Sequence, residues 1–134
     1  MSILVVGATG LVGGQVAQKL RRQGESVRAL VRGGDAHPKV QPLRAAGMEI
    51  VDGDLTVPET LALACRGIAT VVTTATSMPT GANDGLRRVD LDGTLALIEA
   101  AERAGVKRFV YTSYSGNIQM NESHVKPKRR RRRR

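Results

Sequence analysis

The stretch VVGATGLVGGQVAQKL, residues 5–20, sets Gly7, Gly10 and Gly13 where an apolar run gives way to a helical pattern. Ile3 to Val6 read as a short strand that is apolar throughout. Val16, Ala17 and Leu20 follow Gly13 at i+3, i+4 and i+7, the inner face of a helix expected over Leu11 to Gln23. Gly7 stands where the strand must turn sharply. Gly13 falls on the inner face, where a missing Cβ lets the helix approach a sheet. Gly10 stands where a Cβ would hold a ligand phosphate away from the backbone. The bare amides at such a helix start form an anion site without a basic side chain, and a pyrophosphate fits it. The spacing Gly7-x-x-Gly10-x-x-Gly13 is one residue longer in its first interval than G-x-G-x-x-G, and a glycine-rich turn with no ligand is the alternative. The surrounding pattern decides between them.

That pattern alternates. After Gly24 comes a β-rich run at residues 26–32, then a Gly-Gly-Asp loop and a helix-compatible stretch around Val40 to Ala46. MEIVDGD, residues 48–54, supplies a third strand. Pro58 opens a helix in a first-turn position with Glu59 beside it, and Gly67 closes it. Residues 68–75 read as strand four. The longest helix is expected over Gly85 to Ala104, with Leu91, Leu95 and Ile98 on one face and a Glu99–Arg103 pair on another. Residues 106–113, VKRFVYTS, form strand five. Strands alternating with helices predict an α/β, Rossmann-like fold, a doubly wound parallel sheet of about five strands in the order 3-2-1-4-5. From Tyr114 onward the periodicity fails, so a dinucleotide-binding domain is expected over residues 1–115 and a disordered basic tail over 116–134.

The end of strand two selects the nucleotide. NAD enzymes usually place an acid there to hold the ribose 2′-OH, whereas this strand ends in Arg32, whose guanidinium suits a 2′-phosphate. NADP(H) is therefore expected in preference to NAD(H), although Asp35 lies only three residues on. Gly33 and Gly34 would let the backbone come close beside the adenosine.

Composition narrows the remaining classes. The net charge of +9 resides largely in KPKRRRRRR, residues 126–134, which hold 8 of the 21 Lys and Arg side chains; the rest of the chain has 13 basic against 12 acidic. The tail could meet nucleic acid or an anionic surface electrostatically, but without interleaved aromatics it offers no platform for reading bases. The N-terminal apolar run is broken by glycines within seven residues, so neither a secretory signal nor a membrane span is expected, and the cytoplasm is the default location. Cys65, the single cysteine, falls within a helical pattern as a small buried hydrophobe, and His37 and His124 lie apart from any cysteine cluster, which argues against zinc. Strand five, if an edge, would favour pairing with a second copy as a homodimer.

GATGLVGGQVAQKL, VRALVR, GDL and AGVKRFVYTS together resemble the NmrA-like branch of the atypical short-chain dehydrogenase/reductases, over Ile3 to about Ser115. The resemblance implies pyrophosphate contacts from Gly7, Thr9, Gly10, Leu11 and Val12, and a 2′-phosphate contact from Arg32. It implies that Asp54 and Leu55 border the adenine and that Thr74, Ala75 and Thr76 pass along the ribose and nicotinamide side. Asp54 as a turn cap, and Thr74 and Thr76 as ordinary strand residues, are the competing readings. The wider superfamily's Tyr-x-x-x-Lys pair is absent, since Tyr111 is followed four residues on by Ser115 and Tyr114 by Ile118. Ser113 is the nearest match to the serine that often assists such a tyrosine, with an ordinary strand-end hydroxyl as the alternative. Family members run to about twice this length, and the chain leaves their pattern after strand five. The expected function is that of an NADP(H)-binding domain of an oxidoreductase exchanging hydride with a small carbonyl or quinone-type substrate. A non-catalytic NADP-sensing module, or a fragment that binds dinucleotide without turnover, is the alternative.

Overall fold

The structure, a computed structural model, describes residues 2–75 and 91–112. Their elements run β1 (Ser2–Val6), α1 (Leu11–Arg22), β2 (Ser26–Val31), a 3-10 turn (Gly34–Ala36), α2 (Val40–Ala45), β3 (Glu49–Asp52), α3 (Pro58–Cys65), β4 (Thr70–Thr73), α4 (Thr94–Arg103) and β5 (Arg108–Tyr111). The five strands form one parallel sheet in the order β3-β2-β1-β4-β5, as the alternation of the sequence predicts. β1 is central, paired with β2 on one side and β4 on the other. Leu4, Val5 and Val6 are almost fully buried, because a strand covered on both faces has no solvent side on which to place polar residues.

The helices divide between the two faces. α1 and α2 cover Val5, Val27, Ala29 and Val31 with Ala17, Leu20 and Leu43. α3 and α4 cover Leu4, Val6, Leu30 and Val71 with Leu61, Ala64, Leu97 and Ala101. Arg28 joins three elements on this second side. Its Nε donates to Glu49 Oε2 at 2.8 Å, and its Nη1 donates to the carbonyls of Ala64 at 2.9 Å and Arg66 at 2.6 Å, satisfying acceptors that the end of α3 leaves open. Cys65 is buried as expected, and burial pushes its thiol up from the ordinary range, against a smaller opposing effect of Arg28.

α4 differs in detail from the sequence expectation. The Glu99–Arg103 pair forms at 2.7 Å. The stripe of Leu91, Leu95 and Ile98, however, faces solvent, while Leu97 and Ala101 are buried. The small side chains of Ala96 and Ala100 pack against the α3 side of the core and turn the helix so that its leucine stripe lies uncovered. The part of the expected helix before Leu91 lies outside the described residues.

Candidate functional site

The order of the strands places a crevice at one position. From β1 the chain crosses by α1 to β2 on one side, while β4 pairs with β1 on the other, so the connections diverge at the carboxyl ends of β1 and β4. Open α/β sheets bind ligands where this divergence occurs.

The glycine turn lines that crevice. Gly7 has φ 95°, and a Cβ there would stand 2.6 Å from Thr74 Oγ1. Both the turn and the neighbouring strand end therefore require glycine at this position. Gly13 is buried at the start of α1, where a Cβ would lie 2.1 Å from the Gly7 carbonyl oxygen and 2.6 Å from Thr74 Oγ1. The strand end and helix start are in direct backbone contact, the close approach inferred from the sequence.

Gly10 has a different environment. It is exposed, its φ of −83° and ψ of 171° are open to any residue, and the nearest atom to a Cβ would be the Gly7 oxygen at 3.3 Å. Its N–H donates to that oxygen at 3.0 Å. No side chain caps α1 and no acid lies in its first turn. The amides of Leu11, Val12 and Gly13 have no acceptor among the described residues, and the side chains of Leu11 and Val12 are exposed. Thr9 is half-buried beside them. A helix start with free donors and no carboxylate attracts an anion.

The other sequence-predicted residues that the structure describes follow β2, β3 and β4. Thr74 follows β4; its N–H donates to Val6 O at 2.9 Å and its hydroxyl to the same oxygen at 3.4 Å, so the side chain serves the sheet edge. Ala75 packs partly buried on the α3/α4 core. Asp54 lies after β3, where its Oδ1 accepts from both the Thr56 N–H and hydroxyl at 2.8 Å, an Asx turn leading towards α3. Leu55 is buried in the α3/α4 core. Thr76 and Ser113 lie outside the described residues.

Arg32 follows β2 directly, is exposed, and has no hydrogen-bond or ion-pair partner among the described residues. The two acids around it are engaged elsewhere. Asp35 pairs with Arg44 of α2. Asp52, opposite Val31 in the β2/β3 register, accepts from the Gly33 N–H at 3.0 Å. Gly33 turns at φ 79°, and a Cβ on Gly34 would press to 3.1 Å from Asp52 Cβ. Sequence reasoning missed Arg44 and Asp52; the only signal was an acid at the end of β3 beside a Gly-Gly loop. Among the described residues no group of His, Cys, Asp or Glu is arranged to hold a metal ion, and no helix is long and apolar enough to cross a membrane.

A parallel sheet with a glycine turn feeding a helix start at its divergence defines the class of nucleotide-binding Rossmann-like domains. The family model for the NmrA-like family matches residues 1–129, and the chain belongs to that family of NAD(P)-binding, short-chain dehydrogenase/reductase-like proteins. It is similar to the photosystem II assembly factor Ycf39 of Trieres chinensis, 44% identical over 119 residues, covering 89% of this chain and 36% of the relative. Among solved structures it resembles a short-chain dehydrogenase/reductase superfamily protein from Agrobacterium tumefaciens with bound NAD (TM-score 0.70, 35% identity, 84% of this chain and 32% of that one). It also resembles the Citrobacter triphenylmethane reductase complexed with NADP(H) (TM-score 0.66, 30% identity, 85% and 38%). The chain spans about a third of the length of the first curated relatives it matches, less than the half that the resemblance implies.

Proposed function

We propose that this chain forms the NADP(H)-binding part of an NmrA-like oxidoreductase. The observation that carries the reading is the uncapped start of α1. Donors without acceptors, an exposed glycine beside them and a backbone-to-backbone contact behind it suit a diphosphate. In this reading Gly7, Thr9, Gly10, Leu11 and Val12 hold the pyrophosphate, Arg32 holds the 2′-phosphate, and the backbone at Asp54 and Leu55 borders the adenine. Thr74, Ala75 and Thr76 flank the ribose and nicotinamide. Relatives of known structure carry NAD in one case and NADP(H) in another, so the preference rests on Arg32.

When bound, the nicotinamide supplies hydride chemistry, here towards a small carbonyl or quinone-type substrate. The chain's own contribution is to anchor and orient the dinucleotide at the sheet's carboxyl edge. A second reading is a sensor that binds NADP(H) and passes its occupancy to a partner. It is the reading that the sequence left open beside the first, on the ground that these 134 residues hold no Tyr-x-x-x-Lys pair. Following NADPH oxidation with a panel of quinones and aldehydes separates the two. The oxidoreductase reading predicts turnover that saturates with at least one substrate, whereas saturable binding with no turnover across the panel supports the sensor.

A further inference from the structure

The loop after β2 contains an arginine with no acid partner although acids flank it. Asp35 is three residues from Arg32 across Gly33 and Gly34, close enough in sequence for its charge to weaken any contact between Arg32 and a phosphate. Its carboxylate is instead paired with Arg44, which projects from α2. The loop itself is fixed by neighbouring hydrogen bonds: Gly33 N–H to Asp52, Ala36 N–H to Gly33 O at 3.1 Å, and His37 N–H to Gly34 O at 3.1 Å.

We infer that Arg44 is a positioning residue for dinucleotide selectivity. By holding Asp35 it keeps that carboxylate from competing with a 2′-phosphate for Arg32. The inference rests on the reading of Arg32 as the 2′-phosphate ligand and adds a residue that does not touch the dinucleotide. Because the side chains of Asp35 and Arg44 are 69% and 46% exposed, solvent screens the pair and the effect is moderate.

The test measures NADPH and NADH dissociation constants by nicotinamide fluorescence for the 134-residue chain and its variants, with circular dichroism confirming that each is folded. Arg44→Ala is expected to weaken NADPH about fivefold and NADH by less than about twofold, an effect that shrinks as salt is raised. Arg44→Lys should retain the selectivity. Adding Asp35→Asn to Arg44→Ala should restore NADPH binding to within about twofold of the wild type, which a merely structural role for Arg44 would not do. An unchanged NADPH-to-NADH ratio in Arg44→Ala, or no restoration in the double variant, overturns the inference. Should Arg44→Ala fail to fold, Asp35→Asn alone decides: NADPH bound at least as tightly as by the wild type supports it, and weaker binding overturns it. A wild type without preference for NADPH, with Arg32→Ala weakening both dinucleotides equally, would instead overturn the reading of Arg32 on which the inference rests.

Discussion

Gly13→Ala is expected to lower the stability of the domain by about 3 kcal/mol and its Tm by roughly 10 °C or more. Two effects oppose one another. Alanine is the better helix former, worth about 1 kcal/mol at an interior position. The added methyl, however, would sit 2.1 Å from the Gly7 carbonyl oxygen and 2.6 Å from both the Gly7 carbonyl carbon and Thr74 Oγ1. Two of these atoms belong to backbone at the end of the central strand and cannot rotate aside, so α1 must lift from the sheet and loosen its packing around Ala17 and Leu20. The clash outweighs the propensity. Thermal unfolding followed by circular dichroism tests it, and a Tm equal to that of the wild type would mean that the helix and strand do not meet at Gly13.

The second large effect concerns nucleotide choice. Arg32→Ala is expected to weaken NADPH about 30-fold, equivalent to about 2 kcal/mol for charge-assisted hydrogen bonds to a phosphate at an exposed site. NADH, which lacks that phosphate, should change by no more than about twofold. The NADPH loss should shrink with added salt, because the contact is open to solvent. Equal weakening of both dinucleotides would refute the role given to Arg32. Stability should barely change, since Arg32 has no partner among the described residues whose loss would cost the fold.

Local features of the sequence anticipated the architecture because they act locally. Gly7, Gly10 and Gly13 marked the turn between β1 and α1, Pro58 marked the start of α3, and the alternation of strand and helix pointed to a parallel, doubly wound sheet, whose order is the one expected. Each follows from backbone conformation or from the topology open to parallel strands. The features that stayed hidden depend on contacts between distant residues. The apolar periodicity of α4 put Leu91, Leu95 and Ile98 on one face, but periodicity does not say which face meets the sheet, and the alanines decided it. Nor does spacing reveal that Asp52 reaches back 19 positions to the Gly33 amide, or that Asp35 turns to Arg44. At Asp54 the sequence left a turn cap and a ligand contact open, and the structure occupies the Oδ1 atom with Thr56.

Gly10 allows the central claim to be separated from the integrity of the fold. Its backbone conformation suits any residue, and an added methyl would stand 3.3 Å from the Gly7 carbonyl oxygen, a tight contact that asks for a shift of a few tenths of an ångström, so Gly10→Ala should cost about 1 kcal/mol and leave the domain folded. The same methyl would project where the diphosphate must approach the bare amides of α1. Titration of the folded variant with NADPH is therefore the decisive measurement. An affinity loss of about 100-fold or more in a variant that stays folded is the predicted result; NADPH bound as tightly as by the wild type would contradict a diphosphate seated on this turn.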